Sequence, residues 1–183
     1  MSQQDKIKKA AKILKSGGIV AFPTETVFGL GALLTETIAI KQIFKIKKRP
    51  KNKPLQVLVA NLKQARELGE FSIQALKLAK KNWPGPLTLV VHKKNAVPKI
   101  VVGGGNKVGL RIPKHRTILT LIKACGPIAA TSANFSGEEP ALNAKTVKAL
   151  LGKKVDYTLP GKVKLGFASK VIDTTNKNKV LRA

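Results

Sequence analysis

Two short polar clusters, far apart in the chain, carry the residue types that hold a polyphosphate. One is Lys47-Lys48-Arg49-Pro50, a K-x-R; the other is Thr131-Ser132-Ala133-Asn134, an S-x-N. Each sits where an apolar, periodic stretch ends. A third segment, Pro23-Thr24-Glu25-Thr26-Val27-Phe28-Gly29-Leu30-Gly31, follows a strand-like run. Arginine offers bidentate contact to phosphate oxygens and lysine a point charge, while hydroxyls and amides add neutral donors. Taken singly, Lys47 and Arg49 read equally as solvated charges. Ser132 and Asn134 read equally as turn residues, and so do Thr24 and Thr26 beside Pro23. Taken together they converge, because donors at the ends of several strands meet on one side of an open sheet, where α/β folds bind ligands. The combination points to an enzyme that uses a nucleotide.

Other chemistries lack their residues. There is no G-x-x-x-x-G-K-[ST] loop and no dinucleotide fingerprint, and Gly103-Gly104-Gly105 reads as a turn. His92 and His115 stand far apart with no metal-ligand spacing, and His115 reads as a structural or surface residue. No G-x-S-x-G elbow supports a Ser-His-Asp hydrolase. Cys125 is the only cysteine, which excludes an intramolecular disulfide or a cysteine-based zinc site, and it reads as a buried small hydrophobe. The expectation is no protein-held metal.

The elements that must position these residues follow from periodicity. Ile7, Ala10, Ala11 and Leu14 form the stripe of a helix over 3–16, stopped by Gly17-Gly18. Ile19 to Phe22 reads as a buried strand ended by Pro23. Helix 35–47 delivers Lys47, and Pro50 and Pro54 force a loop after it. Strands are expected at 55–60, 87–91, 108–112, 128–131, 169–173 and 179–182. Helices are expected from caps Asn61, Ser72 and Asn143 and over 116–124. Trp83-Pro84-Gly85-Pro86 reads as a rigid turn. Helices interleaved irregularly with short strands predict an α/β or α+β class with a mixed sheet.

With 183 residues and 43% hydrophobic content, the chain is expected to be one domain spanning 1–183. Its net charge is +26, from 35 Lys and Arg against 9 Asp and Glu, and only five of those cations are arginine. Such a field attracts polyanions. Aromatics make up only 4% and lie mostly in apolar runs, unlike the exposed stacking residues of sequence-reading RNA modules. With no membrane-length apolar run and no signal-peptide core, no membrane association and a cytoplasmic location are expected.

At these residues the chain resembles the YrdC/TsaC family, the L-threonylcarbamoyladenylate synthases, over nearly its whole length. The resemblance runs through Pro23–Gly31, Lys47–Pro50 with Lys53-Pro54-Leu55, and Trp83–Thr88. It continues through Val108–Pro113, Thr131–Asn134 with Ser136-Gly137, and Ser169–Asp173 with Leu181-Arg182. It implies a twisted mixed α/β domain with a large, positively lined cavity, of the short type that lacks an added C-terminal domain. The implied reaction makes threonylcarbamoyl-AMP and pyrophosphate from L-threonine, bicarbonate and ATP, with Mg2+ accompanying ATP. A threonylcarbamoyl transferase complex then modifies adenosine 37 of tRNAs reading ANN codons.

By the same resemblance, Lys47 and Arg49 hold the triphosphate and stabilise the leaving pyrophosphate. Ser132 and Asn134 donate to the nucleotide. Thr24 and Arg111 bind the amino acid, Arg111 through its carboxylate, with Thr131 and Ser169 in the same pocket. Lys53 stands where many longer members carry a histidine, and Lys170 where relatives often have threonine. The alternative from another class is a non-catalytic protein that binds double-stranded RNA or tRNA, or matures ribosomes, which the charge of +26 favours.

Overall fold

The short apolar runs hydrogen-bond into one ten-stranded mixed sheet in a computed structural model that describes residues 1–183. Its strands are β1 (Val20–Pro23), β2 (Phe28–Leu33), β3 (Gln56–Leu58), β4 (Gly69–Glu70), β5 (Leu87–Lys93), β6 (Lys107–Arg111), β7 (Ile128–Ser132), β8 (Tyr157–Thr158), β9 (Lys170–Asp173) and β10 (Lys179–Arg182). The order across the sheet is β10-β9-β5-β6-β3-β7-β2-β1-β8, with β4 added beside β5. The pairs β1/β8, β3/β6 and β5/β9 are parallel and the others antiparallel, so the mixed class expected from the sequence is found.

Six α-helices flank the sheet: α1 (Gln3–Lys15), α2 (Thr37–Ile46), α3 (Leu62–Leu68), α4 (Ile73–Asn82), α5 (Arg116–Cys125) and α6 (Ala144–Leu151). The caps hold as expected. The side chains of Asn61, Ser72 and Asn143 accept from the backbone amides of Gln64, Ala75 and Thr146. Ser2 and Asp5 close a reciprocal capping box at the start of α1. No helix is long and apolar enough to cross a membrane.

Strand alternation divides the interior. On β2, Phe28, Leu30 and Ala32 join Val57, Ala129 and Leu110 in a core under α2, α3 and α6. The opposite face carries Val20, Phe22, Leu33, Leu58, Ile128 and Ala130, covered by Ile7, Ala10, Ala11 and Leu14 of α1 and Ile118, Leu121 and Ile122 of α5. These two helices cover only one end of that face. Over the rest, small and polar positions mix with Phe22, Leu58 and Val90, and the face stays open as a cavity.

Strand β2 was not expected, because Gly29 and Gly31 weaken the strand signal of Phe28–Leu33. The structure supplies the reason for them. The Phe22 ring lies across its cross-strand partner, and a Cβ added at Gly29 would stand 2.6 Å from Phe22 Cε2. At Gly31 it would stand 2.6 Å from Ile128 Cγ2. The two-residue strands β4 and β8 were likewise too short to carry a pattern of their own.

Candidate active site

A cavity of about 570 Å3 opens on the uncovered face, and alternate residues of six neighbouring strands form its floor. Phe22 comes from β1, Gly29 from β2, Gln56 and Leu58 from β3, Lys107, Gly109 and Arg111 from β6, Thr88 and Val90 from β5, and Ala130 and Ser132 from β7. Val171, Asp173, Leu181 and Arg182 of β9 and β10 extend one wall. Among the residues expected at a site, Thr24, Arg49, Arg111, Thr131, Ser132 and Ser169 all line this cavity, as does Lys53.

The parallel pair β3/β6 gives the cavity two ends. At the C-terminal end of both strands, Leu58 stands beside Arg111. Arg111 is 1% exposed, yet it carries a full guanidinium. Its Nε donates to the Gly85 carbonyl at 3.2 Å, which the Trp83–Pro86 turn delivers, and its Nη2 donates to Thr26 Oγ1 at 3.0 Å. Thr26 Oγ1 is in turn 2.8 Å from Thr24 Oγ1, which donates to the Val27 carbonyl. The Glu25 carboxylate stands 2.7 Å from Nη2 as an ion pair. Neither of its oxygens has a well-directed hydrogen bond, so its charge is answered mainly by Arg111. Burial lowers the Arg111 pKa and Glu25 partly restores it. The arrangement sets a guanidinium paired with a carboxylate beside two hydroxyls, complementary to the two charges of an α-amino acid.

At the other end lie Arg49 and Lys53, from the loop that enters β3, and Lys107, at the start of β6. Arg49 is pinned by the carbonyls of Lys53 (3.1 Å) and Pro54 (2.8 Å). Lys107 pairs with Asp173 at 3.0 Å. Burial opposes ionisation of Asp173, but the Thr175 hydroxyl and amide and Lys107 outweigh it and hold its pKa below the usual range. Arg182, on β10, lines the same cavity: burial and then Arg111 lower its pKa, and burial and then Arg182 lower that of Arg49. Its Nε and Nη2 grip the carbonyl and hydroxyl of Ser169 at 2.7 and 3.0 Å. Three guanidiniums thus line one space, with Arg182 coupled to Arg111 and Arg49 to Arg182, an arrangement that favours a polyanion.

Lys47 and Asn134 are not on the wall. Lys47 is 1% exposed, and its ammonium donates to the carbonyls of Ser132 (2.6 Å) and Asn134 (2.5 Å) and to Asn134 Oδ1 (3.1 Å). Asn134 Nδ2 donates onward to the Glu138 carbonyl. The two motifs are therefore one unit, in which K-x-R braces S-x-N from behind. Burial, and then the charge of Arg49, lowers the Lys47 pKa to about 8.

The residues overlooked in the sequence are Gln56, Thr88, Lys107 and Arg182. For Arg182 a signal existed. In a chain that meets its surface charge with lysine, three of the five arginines line the cavity, while Arg66 and Arg116 are exposed. Gln56 and Thr88 look in sequence like ordinary strand residues. The triple glycine is a turn, as expected: its three amides bond back to Ile100, Lys99 and Val102. Cys125 is half-buried with its pKa raised by burial to about 11, so its thiol stays protonated.

The family model Sua5_yciO_yrdC, described as telomere recombination, matches residues 12–183. A Pyrococcus abyssi protein named threonylcarbamoyl-AMP synthase is 42% identical over 179 residues, which is 96% of this chain and 53% of that protein. A Bacillus subtilis protein of the same name is 43% identical over 144 residues, 77% of this chain and 42% of that protein. One from Psychromonas ingrahamii is 37% identical over 149 residues, 79% of this chain and 78% of that protein. The chain thus spans about half the length of the Pyrococcus and Bacillus relatives. In structure it is similar to P. abyssi Sua5 complexed with L-threonine, with a TM-score of 0.91 and 40% identity over 96% of this chain and 52% of that one. It is also similar to E. coli YciO, with a TM-score of 0.85 and 25% identity over 99% and 89%.

Proposed function

The chain belongs to the Sua5/YciO/YrdC family, and on that premise we propose that it is a threonylcarbamoyl-AMP synthase acting as a nucleotidyltransferase on L-threonine, bicarbonate and ATP. One observation carries the reading: a single cavity holds a buried arginine with two threonine hydroxyls at one end and Arg49, Lys53 and Lys107 at the other. An amino acid and a triphosphate can lie there with their reacting groups facing each other.

In this reading Arg111 pairs the threonine carboxylate, and Thr24 and Ser169 serve the same pocket with Thr131 near by. The threonine amine takes up the carbon of bicarbonate to give a carbamate, whose oxygen attacks the α-phosphorus and expels pyrophosphate. Neither step needs a covalent enzyme nucleophile, so positioning and charge neutralisation are the tasks of the protein. Arg49 bears on the triphosphate directly, and Ser132 faces it. Lys47 and Asn134 act on the same region by holding the backbone that presents Ser132. Magnesium enters with ATP, held by phosphate oxygens and water. Asp173, the carboxylate on the cavity wall, is engaged by Lys107 and Thr175, and no cluster of three or more ligating side chains competes for the ion.

Downstream, a transferase complex moves the threonylcarbamoyl group to tRNA, and the charge of +26 suits a protein that works beside RNA. Pyrophosphate release from MgATP, measured with and without L-threonine and bicarbonate, tests the reading. Release that needs both co-substrates and falls in Arg49→Ala supports it. Absence of release under every combination, with salt-sensitive RNA binding intact, replaces it with the RNA-binding role.

A further inference from the structure

We propose that the side-chain amide of Gln56 is a substrate-contacting hydrogen-bond donor that holds one oxygen of the carbamate midway between the two ends of the cavity; this rests on the synthase reading above. Gln56 pairs in register with Gly109 on one side and Ala130 on the other, at the middle of the floor. Arg111 lies two residues further along the neighbouring parallel strand, about 7 Å in the strand direction. Lys53 and Lys107 lie in the opposite direction. Gln56 therefore underlies the place where an amine held from the Arg111 end meets a phosphate held from the other.

Its orientation is set by its neighbours. Gln56 reaches across β6 to Thr88 on β5, and it can do so because Gly109 between them has no side chain. A Cβ there would stand 3.1 Å from Thr88 Cγ2 and 3.9 Å from Gln56 Cβ. Thr88 Oγ1 donates to Gln56 Oε1 at 3.0 Å. With its one proton so used, Thr88 must accept from Ser169 Oγ at 2.9 Å, and Ser169 accepts from Arg182 Nη2 at 3.0 Å. The chain Arg182→Ser169→Thr88→Gln56 ends on the amide oxygen. Nε2, with two protons and no partner in the protein, is left toward the cavity that Gln56 lines.

A neutral donor suits that place. The amine nitrogen bonds to the bicarbonate carbon, water leaves, and an anionic carbamate results. One carbamate oxygen must then give an electron pair to the α-phosphorus while the bond to the β-phosphate oxygen breaks and its electrons leave with pyrophosphate. A cation on the carbamate would draw charge from the attacking oxygen. An amide N–H fixes the other oxygen and leaves the nucleophile more of its charge.

The test compares Gln56→Leu and Gln56→Glu with the parent chain. Calorimetry gives L-threonine binding, and pyrophosphate release gives the bicarbonate dependence. Gln56→Glu keeps the shape and the contact from Thr88 but cannot donate, so it remains informative if the leucine variant folds poorly. The expected result is threonine affinity within about twofold of the parent, with turnover at low bicarbonate reduced about 10- to 100-fold in both variants, the worth of a hydrogen bond to a charged group. Unchanged bicarbonate dependence with weakened threonine binding would overturn the assignment and make Gln56 part of the amino-acid pocket. Unchanged kinetics in Gln56→Glu would overturn it outright. A parent chain that releases no pyrophosphate overturns both this and the synthase reading, whereas failure of this inference alone leaves the parent active.

Discussion

Lys47 Nζ lies 2.6 Å from the carbonyl oxygen of Ser132, so the cation of one motif is spent on the backbone of the other. At neutral pH its three protons meet three oxygens, on Ser132 and Asn134. Replacing Lys47 with methionine leaves buried acceptors unpartnered, at a cost of about 1–3 kcal/mol. Urea unfolding of Lys47→Met reads this loss directly, alongside a fall in pyrophosphate release. A lysine serving only as a surface ligand for phosphate would lower release without moving the unfolding midpoint.

The same lysine makes stability depend on pH. Its pKa is lowered from the ordinary 10.5 to about 8 in the folded chain, chiefly by burial. Between these values the unfolded chain binds a proton that the folded chain does not, so Lys47's contribution to stability rises with pH over that window. Below about pH 8 both states are protonated and the contribution is flat. Subtracting the Lys47→Met unfolding free energy from the parent's at each pH isolates this dependence. A difference that stays level from pH 8 to 10.5 would show that Lys47 keeps its proton in the fold.

Glu25 and Arg111 form a buried pair at 2.7 Å, with side chains 5% and 2% exposed. Glu25→Gln leaves the guanidinium without a counter-charge and is expected to cost about 3–5 kcal/mol. The double variant Glu25→Gln with Arg111→Met is expected to recover part of that loss, while threonine-dependent release stays absent. Thermal or urea unfolding of the three variants checks the coupling.

At Gly29 the constraint is steric. Alanine places a methyl 2.6 Å from the Phe22 ring, and the overpacking is expected to cost about 1–3 kcal/mol. Adding Phe22→Leu removes the obstruction, so the double variant should lose less stability than the sum of the two single variants.

Much of the architecture could be read from the chain, because helix caps and apolar periodicity are local. Asn61, Ser72 and Asn143 start their helices where a cap acceptor precedes an apolar stripe, and β9 and β10 fall on the short apolar pairs Val171-Ile172 and Val180-Leu181. The donors and cations at Arg49, Arg111, Ser132 and the Thr24-Glu25-Thr26 segment were visible too, because each sits at the end of an expected helix or strand. The sequence could not say which of them faces the cavity. Lys47 follows the last residue of α2 and sits two residues before Arg49, yet its ammonium turns inward and the guanidinium of Arg49 reaches the wall. The direction a side chain takes depends on acceptors that arrive from β7, 85 residues away.

The contacts of Gln56 and Arg182 were decided by strand order. Thr88 lies 32 residues beyond Gln56: the two meet because β5, β6 and β3 lie side by side and Gly109 leaves the middle strand bare. Arg182 joins them only when β10 folds back on β9. By itself the sequence determined the helices, seven of the ten strands, the mixed class and the stock of donors and cations, since these depend on neighbours along the chain. The tertiary structure alone decided which donors share a space, which are spent on the backbone, and which keep a free proton, since these depend on partners brought together across the sheet.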